Sequence, residues 1–333
     1  RHDHNLETSV INNFAFRPAT EAEVAAGKHT HLGLATRYAD AHGGETGVKG
    51  GGRAALTGEV VVKDRKGNIT GVYDIQVKGV GTGLAPNWKG FGHRHGKESL
   101  RQATEDALFS DYLSRNGIKT NKWLAVIDSG NDIVHPNGGR ERAGLLIRGG
   151  NFTRLAHWNL VRNDQKALRQ LVDFANQQVS QEMGRGRKMS LPGLYKALTQ
   201  RKANEMADMY FLRTVHGSTT YDNIGIMENM DHGTTSTVDK THRNYSFFST
   251  WVGYGGEPKF VMDRYYKKEL YNMIMKSATP GEQQQLKQLN PDKIADGMLE
   301  RRFQRNTLLH AGMSKAEAKK AMNKDRQAVK DFT

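Results

Sequence analysis

The chain has 333 residues, 37% of them hydrophobic and 25% charged, enough to bury a sizeable core as one large domain or two lobes. It has no cysteine, which excludes disulfides, thiolate metal sites and cysteine nucleophiles, and no window approaches the ~18 consecutive apolar residues that span a membrane. A net charge of +14 favours polyanionic partners, whether nucleotide phosphates, nucleic acid or an acidic surface, without choosing among them. The opening RHDHNLETSV lacks Met and an apolar signal core, which predicts a trimmed start and leaves the compartment, cytoplasmic or exported, open.

In chain order, AALTGEVVVKD, the turn RKGN and ITGVYDIQVKG predict two strands joined as a hairpin. A Gly-rich stretch follows, and then KESLRQATEDALFSDYLSRNG predicts a helix closing at Gly117. KWLAVID and AGLLIRG, connected through SGNDIVHPNGGRER, predict a further hairpin. Beyond about residue 158 the texture becomes helical. Leu168, Leu171, Val172, Ala175, Val179 and Met183 recur at helical spacing. Further helices are expected over KANEMADMYFLRTV, DRYYKKELYNMIMKSA and a last segment opened by the capping box Ser314 and Glu317. A β-rich front before a helical back predicts a two-lobed α+β protein, residues 1–157 forming an N-lobe and 158–333 a helical C-lobe that carries the catalytic and metal-binding loops.

Several residues are candidates for phosphate chemistry, each with a plainer alternative. Lys78 ends a strand whose alternation puts it with Gln76 on one face and Ile75 with Val77 on the other. It is either a point charge for phosphate or a solvent-facing edge lysine. Glu105 and Asp106 lie on the following helix, where one of them would pair with Lys78 or both would be solvated. The cluster around Gly50, Gly52 and Arg53 offers bare backbone N–H groups to phosphates, or only a turn. Arg148 and Arg154 flank the change from sheet to helices, as phosphate clamps or as structural ion-pair partners.

The stretch HGSTTYDNIGIMENMDHG places Asp222 as a base for an attacking hydroxyl, with Asn223 and Asp231 as oxygen ligands for a hard cation. Between them IGIMENM is expected as a short strand or hairpin returning Asp231 to Asn223. An Asp-Asn pair on its own is most often a turn. A phosphate-binding loop of the Gly-x-x-x-x-Gly-Lys-Ser/Thr type is excluded at GFGHRHGKE, where the glycines are one residue too far apart and Glu98 follows Lys97. The pairs His29/His31 and His93/His95 read as loop histidines.

Taken in order, GGGRAALTGE, DIQVKGVG, NGIKTN, HGSTTYDN and DHG resemble the GDGRA…LGE, ELQLKGAG, LGIPTT, HGVMNTDN and DYG segments of the selenoprotein O (SelO, YdiU) family of kinase-fold protein adenylyltransferases. The likeness spans roughly residues 45–250. It implies a protein-kinase-like fold that binds ATP inverted and moves AMP to a Ser, Thr or Tyr hydroxyl of another protein, with Mg²⁺ or Mn²⁺. It further implies that Lys78 contacts phosphates with Asp106 as its helix partner, and that Gly50, Gly52 and Arg53 line the nucleotide loop. His95 and Gly96 fall where the family has an Asp-Gly pair near the nucleotide, and Asp106 stands where the family has Glu, with Glu105 as the alternative. Arg148 and Arg154 would hold the phosphates. Asp222 would be the base, and Asn223 and Asp231 would bind the metal, Asp231 thereby also touching the nucleotide. The implied partners are ATP and an unnamed protein substrate, with self-modification in its absence; nucleic acid is not required. A kinase transferring the γ-phosphate and a catalytically dead nucleotide-binding relative are the alternatives.

Overall fold

The computed structural model describes residues 54–80, 97–237 and 256–331 apart from positions 64, 65, 68, 136, 218, 220–222 and 224, together with Ala22 and Ala26. The expectations at Gly50, Gly52, Arg53, His95, Gly96 and Asp222, and those at the four paired histidines, lie outside the described residues. The chain divides into two compact units, Arg1–Leu160 with Thr220–Thr235, and Val161–Thr219 with Ser236–Thr333. The short segment 220–235 thus groups with the β-rich unit, although the chain around it belongs to the helical one.

The first unit is built on a five-stranded antiparallel sheet. Strands β1 (Ala54–Lys63) and β2 (Ile69–Lys78) form the expected hairpin, turning at Gly67 with φ 85°. β2 pairs with β5 (Arg140–Gly150), which also pairs with the short β3 (Glu98–Ser99) and with β4 (Lys122–Val134). The β4–β5 hairpin is longer than its apolar runs suggest. The ladder continues to Val134↔Arg140, so most of the polar connection is strand, stabilised by Arg142 against Asp128 at 2.8 Å.

Alternation sorts the side chains. Ile75, Val77, Leu145 and Ile147 form one buried cluster. On the opposite face Leu146 packs against Ala103 and Ala107 of helix α1 (Leu100–Arg115). Ser99 caps that helix by accepting the Gln102 N–H, and Gly117 follows its end at φ 82°. Full burial of each such Val, Leu or Ile side chain stabilises the fold by roughly 1.5–3 kcal/mol. The short α2 (Leu155–Leu160) closes the unit.

The second unit is helical: α3 (Gln165–Glu182), α4 (Leu191–Phe211), α5 (Glu257–Val261), a π-helical turn (Met262–Leu270), α6 (Tyr271–Ser277), α7 (Pro280–Lys287), α8 (Pro291–His310) and α9 (Lys315–Asp331). Leu168, Val172, Ala175 and Val179 are buried as their spacing predicts. Helix α4 starts earlier than expected because Ser190 caps it and a proline occupies its first turn. Helix α8 is held to α4 by Arg302 on Asp208 at 2.6 and 2.8 Å, and to the π turn by Asp296 on the buried Lys267 at 2.7 Å. Ser314 and Glu317 form the reciprocal capping bonds at the start of α9. Within the described residues no helix is long and apolar enough to cross a membrane.

Candidate active site

Helix α1 buries Ala103, Asp106, Ala107, Ser110 and Leu113, a stripe at helical spacing facing the sheet. Asp106 is the one carboxylate in that stripe, and it meets the sheet face that carries Gln76, Lys78 and Arg148. Lys78 Nζ lies 3.0 Å from Asp106 Oδ2. Glu105, one position along, is partly exposed and pairs with Arg101 at 3.8 Å. The register of α1 therefore gives Lys78 to Asp106 and not to Glu105.

Asp231 completes the cluster from the returning segment. Its Oδ1 lies 3.1 Å from Lys78 Nζ and 2.9 Å from Arg148 Nη2, and its Oδ2 lies 3.0 Å from Arg154 Nη2. Arg148 is fully buried, with Nε donating to Gln76 Oε1 at 2.7 Å and Nη1 to Asp106 Oδ2 at 3.2 Å. Its guanidinium also stands 5.4 Å from the centre of the Phe152 ring. Glu98 of β3 adds a third carboxylate, with Oε1 3.6 Å from the Lys78 ammonium. Among the described residues, three cations and three carboxylates thus share one largely buried cluster of the first unit.

The ionisation of these groups follows from that packing. Burial alone would favour a neutral Lys78, but Asp231, Glu98 and Asp106 outweigh it and raise its pKa. Burial would likewise favour protonated carboxyls. For Asp106 this is overcome by Lys78, Arg148 and His232, and for Asp231 by Lys78, Arg154 and Arg148, which hold it well below the usual carboxylate range. Lys78 and both aspartates are therefore held in their charged forms at neutral pH.

The segment carrying Asp231 is stitched to the first unit by its backbone rather than folded on itself. Ile226 N–H donates to Thr153 O, Asn229 N–H to Lys119 O, and Asn121 N–H to Asn229 O. Isolated bridges join Arg154 to Gly225 and Thr120 to Asn229. The expected self-pairing of IGIMENM is replaced by these pairings with neighbours, which satisfy the same backbone groups. Glu228 accepts the Asn151 N–H at 3.0 Å, close against Gly150, where any Cβ would stand 2.4 Å from the Glu228 carboxylate. Asp231 itself has φ 60° and ψ 57°, a left-handed conformation that costs a non-glycine residue roughly 1–2 kcal/mol. Its three cationic contacts and the bond from the next residue's backbone, His232 N–H to Asp106 Oδ1 at 3.1 Å, hold that geometry. Asn223 sits half-buried in a turn of the same segment.

Within the second unit, the backbone at His216 and Gly217 is fixed by a residue far along the chain. Glu257, buried at the start of α5, accepts the N–H groups of His216 at 2.8 Å and Gly217 at 3.1 Å. Burial pushes its carboxyl up, against the opposing influence of His216. Gly217 takes φ 81°, which glycine adopts without strain.

Within the first unit the structure thus brings Lys78, Asp106, Arg148, Arg154 and Asp231 together, with Gln76, Glu98 and Glu228 beside them, and within the second it adds Glu257; the sequence did not single out these last four. Gln76 was legible in part, since alternation places it on the Lys78 face. Glu98 reads in sequence as an ordinary acid at a helix start, and Glu257 reaches its partners from a remote position with no periodic signal. Among the described residues, no group of three or more His, Asp or Glu side chains is arranged to hold a metal ion.

Comparison with known proteins finds a family and several relatives. The family model described as protein adenylyltransferase SelO matches residues 3–258. A protein nucleotidyltransferase YdiU of Clostridium botulinum (strain Loch Maree) is 28% identical over 266 residues, covering 75% of this chain and 51% of the relative. A namesake from Clostridium perfringens (strain ATCC 13124) is 26% identical over 254 residues, 72% of this chain and 48% of the relative. Another, from Alkalilimnicola ehrlichii, is 31% identical over 199 residues, 58% of this chain and 37% of the relative. The chain spans about half the length, or less, of these curated relatives.

Proposed function

The chain belongs to the SelO family of protein adenylyltransferases, with its kinase-like α+β fold, and on that premise we propose that it transfers AMP from ATP to a Ser, Thr or Tyr hydroxyl of a protein. The observation that carries this reading is the convergence of Lys78, Arg148 and Arg154 on the carboxylate of Asp231, with Asp106 behind them. A triphosphate needs cations that are already in place, and low exposure makes each of them count for more than in water.

In this reading Asp222 accepts the proton of the acceptor hydroxyl. The hydroxyl oxygen forms a bond to the α-phosphorus, the bond from that phosphorus to the bridging oxygen breaks, and pyrophosphate leaves. Lys78 and Arg154 stabilise the charge on the phosphates. Arg148 keeps Asp106 and Asp231 in register, with phosphate contact as its further role. Gly50, Gly52, Arg53, His95 and Gly96 would approach the nucleotide from their loops.

The donor set suits Mg²⁺. Asn223 and Asp231 offer a carboxamide and a carboxylate oxygen, and this ion commonly takes one or two protein ligands and keeps waters and phosphate oxygens for the rest. Those two residues would hold it, and bound there it would neutralise phosphate charge. Asp231 already faces three cations, so the residues favour a metal that arrives with the negative charge of the nucleotide.

Incubation with ATP labelled separately at the α and γ positions tests the proposal. Label from the α position on the protein itself, or on an added substrate, is the expected result. Label only from the γ position would make the chain a kinase, and no transfer of either would leave it a nucleotide-binding relative.

A further inference from the structure

We infer that Glu98 acts as a brake on nucleotide binding: a positioning residue that competes with the phosphates of ATP for the Lys78 ammonium. The inference rests on the nucleotide reading of the site and adds to it a residue that sets affinity.

Glu98 is brought to Lys78 by the construction of the sheet. β3 pairs with β5 at Glu98↔Gly144, and β2 pairs with β5 at Lys78↔Leu146, so the two side chains emerge near each other beside the same strand. Two glycines allow the approach. Gly79 has φ 102°, and a Cβ there would lie 2.5 Å from the Gly144 carbonyl oxygen and 3.0 Å from Glu98 Cβ. A Cβ on Gly144 would lie 2.9 Å from Leu100 Cα. The Glu98 side chain ends with 1% exposure and Oε1 3.6 Å from Lys78 Nζ.

The charge count singles it out. Asp106 keeps Arg148 at 3.2 Å and the His232 N–H at 3.1 Å when Lys78 turns to another anion, and Asp231 keeps both arginines. Among the described residues the cluster without Glu98 has three cations against two carboxylates, an excess of one positive charge before metal and nucleotide arrive. Glu98 cancels that charge. A polyanion reaching Lys78 must then meet a buried like charge or displace it, and like charges held together in a buried site oppose binding strongly.

The sign of the effect separates this role from a structural one. Replacing a buried side chain usually loosens a site, whereas Glu98→Gln should tighten ATP binding in the presence of Mg²⁺ by about tenfold, read by equilibrium dialysis. Glu98→Asp, which keeps the charge, should stay near the wild-type affinity. In a Lys78→Met background the Glu98→Gln gain should vanish, since the pair is then uncoupled. Glu98→Ala gives a second neutral variant if the amide packs poorly, and melting temperatures establish that each variant is folded. Equal or weaker binding by both folded neutral variants, with the wild type binding ATP, overturns the brake and leaves the nucleotide reading intact. No binding by any variant or by the wild type overturns both.

Discussion

Asp231 is bound on one oxygen by Lys78 and Arg148 and on the other by Arg154, at 2.9 to 3.1 Å, so a single left-handed residue ties β2, β5 and the chain entering α2 into one charge cluster. Removing it does two things at once. Asp231→Ala leaves three poorly solvated cations facing one another, and breaking a buried ion pair costs ~3–5 kcal/mol. Loss of a group that holds the charge stabilisers in place should also slow AMP transfer about a hundred- to a thousandfold. Asp231→Asn keeps the shape and should retain more stability than Asp231→Ala at comparable loss of transfer. Chemical denaturation and labelled-ATP transfer on both variants check this; full activity in Asp231→Asn would contradict it.

The neighbouring acids of α1 should behave as opposites. Asp106→Asn removes a carboxylate that serves Lys78, Arg148 and the His232 N–H together, so both stability and ATP affinity should fall. Glu105→Gln removes a half-exposed partner of Arg101 and should change stability by no more than ~0.5 kcal/mol. Asp106→Glu inserts a methylene into a fully buried position, an overpacking that costs typically ~1–3 kcal/mol. Comparable losses in Glu105→Gln and Asp106→Asn would mean that the pairing is misassigned.

His157 should make the first unit sensitive to acid. Its Nδ1 accepts the Arg154 backbone N–H at 3.1 Å, which requires a neutral ring. Burial, helped by Arg154, pushes its pKa down from 6.5 to about 3. Above pH 6.5 the ring is neutral in folded and unfolded chains alike, and its contribution is fully present. As the pH falls from 6.5 toward 3 only the unfolded chain gains the proton, so stability declines by up to ~1.4 kcal/mol per pH unit from this group. His157→Gln keeps an acceptor and removes the titration. Denaturation midpoints across that range should fall less steeply in the variant; identical slopes would contradict the assignment.

Glu257 should act on the transfer step more than on nucleotide affinity. Glu257→Ala strands the buried N–H groups of His216 and Gly217, each worth roughly 1–3 kcal/mol when unsatisfied. The chain at His216 and Gly217, a few residues before Asp222 in sequence, then loses its anchor. Maximal transfer rate should drop well below wild type while ATP affinity measured by dialysis stays close to it. A variant that loses ATP binding in proportion to rate would point to general unfolding.

How much of this was legible in the sequence depends on which physical signal each part carries. Strand alternation predicted that Gln76 and Lys78 share a face, and Gly67 and Gly117 marked a turn and a helix end, because these are local backbone properties. The choice between Glu105 and Asp106 was not legible, since adjacent helical positions differ by about 100° in direction and only packing decides which points inward. The partners of 225–230 were not legible either, because apolar–polar alternation does not say whose backbone a segment will bond. Glu98 and Glu257 gave no local signal at all. Both act through partners brought near by sheet register or by a distant helix start.

The most direct test of the nucleotide site is calorimetric titration of the wild type and Lys78→Met with ATP and Mg²⁺ together, and with Mg²⁺ alone. The wild type should bind the metal–nucleotide complex, show no binding of the metal by itself, and lose most of its affinity in Lys78→Met. Undiminished binding of the complex by Lys78→Met would contradict a site organised around the Lys78 ammonium and the Asp231 carboxylate.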